Sequence, residues 1–288
     1  MNNMYLRISL ITLAFVSPFV SSARENIGDP HHRIQRTEKL SAADCNPASS
    51  SIDLNINNVR ALLQNGGDMW WDFQNAYYRI PKAGNANSLF AASLWLGGLD
   101  AGGQLKVAAM TYRQNGVDFW PGPLDTVNTS IDATVCSQYD KIFQISRNDV
   151  DTFLNYGYVT SNMNSWPGNG NVSLNQGQFL APFQDVDGDG TYTPGIDYPD
   201  YDINSDGVDP VTLKCKHRLY GDKTLWWVFN DKGDIHSETN GLQMGVEIRA
   251  QAFAFKTDNE INDMTFYNYE VINRSSYSLN NTYFTVWN

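Results

Sequence analysis

The chain is poor in histidine, cysteine and positive charge. It has four histidines and three cysteines in 288 residues, and 20 Lys and Arg against 31 Asp and Glu. The resulting formal charge of −11 repels phosphate and argues against nucleic acid or an anionic membrane as partner. The signatures of several enzyme classes are missing as well. There is no Gly-x-Ser-x-Gly, His-Glu-x-x-His, Walker glycine loop or Cys-x-x-Cys. Paired carboxylates carry no information in a sequence this acidic, since any such chain offers them. His31 and His32 are adjacent, a poor arrangement for sharing one metal ion. His217 and His236 have no nucleophile nearby in sequence and are expected as solvated surface residues. No catalytic reaction is legible, and the reading leans away from an enzyme.

Long hydrophobic runs are also lacking, with one short exception at the start. Arg7 is followed by an apolar run from Ile8 to Val20, and then by Ser21-Ser22-Ala23. Small residues there suit a signal-peptide cleavage site, so residues 1–23 read as a secretory signal. Nothing later approaches the ~18 apolar residues of a membrane-spanning helix, and the mature chain is expected without a transmembrane segment. Residues 24–50 are polar and aperiodic, a flexible leader. In an exported chain a disulfide fits. Cys136–Cys215 is the favoured pair because both lie in the globular part, with Cys45 left over.

What is present is a core. Hydrophobic residues make up 42% and aromatics 13%, enough for a packed β-rich region over 51–288. Ile52, Leu54 and Ile56 alternate with polar neighbours in "SIDLNINNVRALL", the period of a strand. "SLFAASLWL" and "QLKVAAMTY" flank "GGLDAGGQ", which reads as a hairpin. "TLWWVFN", a turn at "DKGD", and "LQMGVEIRAQAFAF" follow, the last placing Met244, Val246, Ile248, Ala250, Ala252 and Ala254 on one face. "MTFYNYEVIN" and "LNNTYFTVW" complete the strands. One helix is well signalled: Ser146 as N-cap, Asp149 three residues on, Val150, Phe153 and Leu154 as apolar stripe, Gly157 as stop. The expected fold is mainly β, with sandwich-like sheets, one short helix and a calcium-binding loop as an insertion. Two tryptophan doublets, Trp70–Trp71 and Trp226–Trp227, would place one ring on each face of a strand. Either the rings are covered, or one of each pair is exposed and able to stack on sugar.

The loop is the strongest functional signal. Residues 185–209 hold eight aspartates and no Lys, Arg or Glu, so most of the chain's net charge is local. Two copies of one pattern lie in it. Asp185, Asp187 and Asp189 alternate before Gly190, and Asp202, Asn204 and Asp206 alternate before Gly207. This is the opening of a calcium loop: oxygens at positions 1, 3 and 5 turn inward together, glycine permits the sharp turn, and position 7 offers a carbonyl. Thr191 and Val208 occupy that seventh position. The twelfth, normally a bidentate Glu, is Ile196 or Leu213, and Asp197 and Asp209 are the nearby acids that could substitute. Pro194, Pro199 and Pro210 exclude flanking helices, so these are isolated loops between β elements. An all-oxygen donor set favours Ca2+ over zinc or magnesium. The competing reading is a solvated acidic loop folded by Asx-turns.

Several phrases together resemble a known group: "NNVRALLQNGGDMWWD", "SLFAASLWLGGLDAGGQLKVAAMTYRQNGVDFWPGPLD", "APFQDVDGDGTYTPGIDYPD", and "LWWVFND" with "GVEIRAQAFAF". They are similar to large exported proteins of Bacteroidota that carry a C-terminal sorting domain for the type IX secretion system. The resemblance spans roughly 55–288 and supplies no catalytic residues. It implies an N-terminal signal, export, and a cell-surface or secreted destination. "NTYFTVWN" closes the sequence within a strand pattern and no sorting domain is present, so a fragment of a longer protein is expected. Secretion machinery would be a partner if a sorting domain follows. "DYDINSDGVDP" looks like an insertion relative to that group. The functional expectation is an exported β-rich module with structural calcium, serving in adhesion or as a scaffold, with a surface glycan or protein as partner. The alternative is part of a secreted polysaccharide-active hydrolase or a glycan-binding module.

Overall fold

The computed structural model describes residues 44–201 and 219–288. In chain order the strands begin with β1 (Ser51–Leu54), β2 (Arg60–Gln64), β3 (Asp68–Met69), β4 (Tyr78–Arg79), β5 (Asn87–Leu89), β6 (Ala92–Leu99), β7 (Leu105–Ala109) and β8 (Trp120–Pro121). Helix α1 (Ala133–Tyr139), β9 (Phe143–Ser146), α2 (Arg147–Tyr156) and α3 (Ser161–Asn164) come next. Two short strands, β10 (Phe183–Gln184) and β11 (Tyr198–Pro199), precede β12 (Lys223–Asn230), β13 (Val246–Ala254), β14 (Phe266–Asn273) and β15 (Asn280–Trp287). The protein is mainly β, as expected.

Two antiparallel sheets face each other. One runs β15-β6-β3-β2-β4-β5, with β1 on β2 and β7 on β6; the other runs β14-β13-β12-β8, with β9 also on β12. Alternation decides what lies between them. Leu225, Trp227 and Phe229 of β12 point into the seam, as do Val246, Ile248, Ala250, Ala252 and Ala254 of β13 and the preceding Met244. That face is the one expected from the sequence. Small and large residues alternate across the register: Ala250 pairs with Tyr269 and Ala252 with Tyr267. The alanines leave room for the tyrosine and tryptophan rings. Some of the polar atoms that enter the seam find partners there, as in Trp70 Nε1 donating to Tyr267 Oη at 2.9 Å and the Tyr78–Thr265 hydroxyl pair at 2.9 Å, whereas the Trp227 indole N–H is buried without one.

A third layer covers the outer face of the second sheet. Trp226 and Val228, the odd-facing partners of the seam residues, pack there against Ile145, Val150, Met163, Trp166, Leu180 and Tyr201. Helix α2 belongs to this layer and has the expected cap. Ser146 Oγ accepts from Asp149 N, the Asp149 carboxylate accepts from Ser146 N, and Gly157 stops the helix at φ 67°. Val150 is buried and Phe153 packs against the layer, but Leu154 is 46% exposed, so the apolar stripe is narrower than read. Helices α1 and α3 were not expected; at seven and four residues they are too short to show a helical period. The β6–β7 hairpin forms in register from Trp95↔Ala109 to Leu99↔Leu105. "SIDLNINNVRALL" is not one strand. It turns after Leu54 and returns as β2, with Asn57 Oδ1 accepting from Val59 N, a local side-chain turn that competes with strand continuation.

The cysteine expectation is corrected. The disulfide joins Cys45 to Cys136, with Cα atoms 5.8 Å apart; Cys215 and His217 lie outside the described residues. The segment read as leader therefore ends in an anchored stretch. Cys45 N donates to Gly233 O, Arg113 holds the Ala48 carbonyl, and the Asp140 carboxylate caps Ser49 N and Ser50 N. These are contacts across long sequence separations, and no periodicity announces them. His236 is corrected too. It is wholly buried, with Nδ1 2.7 Å from Val107 O and Nε2 2.8 Å from Asp231 O. Its ring stacks on Trp120, and the Asp118 and Asp231 carboxylates stand 3.8 and 3.7 Å away. It joins β7 to the end of β12 instead of facing solvent.

Candidate metal centre

The acidic loop is the connection between β10 and β11, which pair through Phe183↔Pro199 and Gln184↔Tyr198. That two-rung ladder brings the ends of the loop together. Within it, Asp185, Asp187 and Asp189 each present a carboxylate oxygen, and these oxygens all lie within 4.8 Å of one another. Oxygens bound to one calcium stand about 2.3–2.6 Å from it, so two of them are separated by at most about 5 Å. The spacing fits one ion. Asp185 is half-buried, whereas Asp187 and Asp189 are exposed, leaving room for water to complete a calcium shell.

The backbone explains the convergence. Gly188 and Gly190 adopt φ 75° and 76°, a left-handed region that side-chain-bearing residues seldom enter. The turn lets Asp185 accept from both Gly188 N and Gly190 N at 2.8 Å. Asp187 accepts from Asp189 N at 3.4 Å, and Asp189 from Thr191 N at 2.6 Å. These bonds are the Asx-turns of the competing reading. They also leave each carboxylate with lone pairs to offer, since an ionised carboxylate has about four acceptor directions.

Asp197 has a different place. It is fully buried and stands outside the three-carboxylate cluster, accepting from Val186 N at 2.8 Å and Thr193 N at 2.7 Å. It pins the two sides of the loop together. Thr191 lies in the middle of the loop, directly after Gly190, its N–H on Asp189. The second motif, Asp202, Asn204, Asp206, Val208 and Asp209, lies outside the described residues. Two props were not read from the sequence. Asn169 Nδ2 and Gln178 Nε2 donate to the Gly190 carbonyl at 3.0 and 3.2 Å, and Asn169 Oδ1 accepts from Tyr192 N. They come from a polar stretch 12 to 21 residues upstream, where composition alone gives no signal.

The tryptophan alternative is settled by burial. Trp70, Trp71, Trp226 and Trp227 are all buried, none more than 7% exposed. Trp227 faces the seam and Trp226 the outer layer, so the doublet does straddle a sheet, but both faces are covered. None of the four presents a free ring to sugar. Among the described residues, no helix is long and apolar enough to cross a membrane. No family model, curated protein or solved structure matches the chain.

Proposed function

We propose that the chain is an exported β-rich module stapled by calcium at Asp185, Asp187 and Asp189, acting in surface attachment or as the scaffold of a longer secreted protein. The observation that carries the metal reading is the convergence of three carboxylate oxygens within 4.8 Å in a motif with calcium-loop spacing. The hard oxygen set suits Ca2+. Export rests on the signal-like start, the resemblance to type IX secretion substrates of Bacteroidota, and the Cys45–Cys136 bond, a linkage typical of oxidising compartments.

The expected role of the ion is mechanical. Tyr192 of the loop and Tyr198 just after it pack against the outer layer, so an ion bound only in the native state holds the loop against that layer and stabilises the fold by RT ln(1 + [L]/Kd), about 2.7 kcal/mol at a hundredfold excess over Kd. Thermal melts in calcium and in EDTA test this. Calcium is expected to raise the melting temperature, and the double variant Asp187→Ala plus Asp189→Ala to lose most of the rise. Identical melts of the native chain in calcium and EDTA would defeat the reading.

A further inference from the structure

A recess lies beside the metal loop, where the outer layer stops short of covering β13 and β14. It has a volume of about 240 Å3, just under the ~300 Å3 at which pockets for drug-sized ligands begin. Its floor is the outer face of the sheet. Gln251 and Arg249 come from β13, and Asn268 and Glu270 are their register partners on β14. The 179–185 segment and Tyr220 complete its lining.

One floor residue lacks a partner. Gln251 is 5% exposed, and its Nε2 is buried without a hydrogen-bond acceptor. Buried amide donors are almost always satisfied; the Gln251 side chain lines the recess with its Nε2 just beneath the surface, so a ligand reaches the donor when the amide turns toward the opening. The rest of the lining specifies what could satisfy it. Phe179 is 53% exposed and Tyr220 36%, so the rim offers aromatic rings to an apolar ligand face. Arg249 is already paired with Glu247 at 2.9 Å and Glu270 at 3.9 Å, so its guanidinium is not free for a carboxylate or phosphate ligand. A cationic ligand would meet the guanidinium and the amide donor. Hydroxyl groups both donate and accept, and so suit carboxylates, guanidinium and amide together.

We infer that this recess binds a neutral saccharide unit, its C–H face on Phe179 and a ring or hydroxyl oxygen accepting from Gln251 Nε2. The site differs from the tryptophan doublets, and it does not depend on the metal reading, although Asp185 borders both.

The test is titration of the full chain, by calorimetry and saturation-transfer NMR, with neutral mono- and disaccharides: glucose, galactose, mannose, xylose, N-acetylglucosamine, maltose and cellobiose. Glucuronate and glucosamine serve as charged probes. At least one neutral sugar is expected to bind saturably. Gln251→Leu, which keeps the volume and removes the donor, is expected to weaken binding tenfold or more while melting no lower than the native chain. Phe179→Ala alters an exposed ring and is expected to weaken binding by a similar factor. Absence of binding by every neutral sugar, undiminished binding in both variants, or preference for a charged probe would overturn the inference. Each titration is repeated in EDTA. Sugar binding there supports the pocket whatever becomes of calcium, and calcium stabilisation without sugar binding overturns the pocket alone.

Discussion

The seam between the sheets and the layer on the outer face of β12 are held by different means. The seam is made of strands whose alternate residues are apolar over eight or nine positions, and it is continuous. The outer layer is made of short helices, two-residue strands and loops. Its geometry depends on single side chains bonding to backbone, such as Asp197, Asn169 and the Ser146–Asp149 capping box. Packing by period is tolerant of detail, whereas a loop held by individual hydrogen bonds loses its shape when one donor or acceptor goes. The same irregularity brings Asp185, Asp187 and Asp189 together, since a regular strand would point them along one face in a row.

That contrast can be broken first in the seam. Trp227→Ala removes a fully buried ring from the centre, and is expected to lower unfolding free energy by about 3–5 kcal/mol, read by urea denaturation. Next comes the strap. Cys45→Ser with Cys136→Ser opens a bond spanning 91 residues and is expected to cost about 2–5 kcal/mol. The loss should appear as a lower melting temperature that reducing agent reproduces in the native chain.

A buried ion cluster on the outer face of β13 gives a smaller, pH-dependent effect. Burial pushes the Glu247 carboxyl up, but Arg249, Arg274 and the Leu124 N–H outweigh it and hold it below the usual range. Its oxygens accept from Arg249 Nε at 2.9 Å and Arg274 Nη2 at 3.0 Å. A depressed folded-state value means that the stabilisation is present above the unfolded value, about 4.3, and is lost as pH falls through the folded one. Glu247→Gln is expected to cost about 1–3 kcal/mol at neutral pH. Below about pH 4 the gap between variant and native chain should narrow, as followed by urea midpoints against pH. A gap that stays constant on acidification would contradict this assignment. The smallest effect belongs to Asp187→Ala plus Asp189→Ala in EDTA. Both residues are exposed, so a change within about 0.5 kcal/mol is expected.

What was legible in the sequence follows the same division. The β6–β7 hairpin, the Met244–Ala254 face and the α2 cap were readable because local period and capping chemistry determine them. The convergence of Asp185, Asp187 and Asp189 was readable because their spacing is local too. Cys45, His236 and Asp118 were not. Their partners lie far along the chain: Cys136 for Cys45, Val107 O for His236, and Glu238 N and Thr239 Oγ1 for Asp118. A polar residue surrounded by distant backbone donors looks in sequence like any surface residue. The recess with Gln251 was hidden for the same reason, since the 179–185 segment and the floor are some 70 residues apart.

The central claim is that the three converging carboxylates hold a calcium ion. Calorimetric titration of calcium into metal-stripped protein tests it most directly, comparing the native chain with the variant carrying Asp185→Asn, Asp187→Asn and Asp189→Asn. The account predicts that the variant binds one calcium fewer per chain, whatever other sites the chain has. Equal stoichiometry and affinity in the two proteins would contradict it.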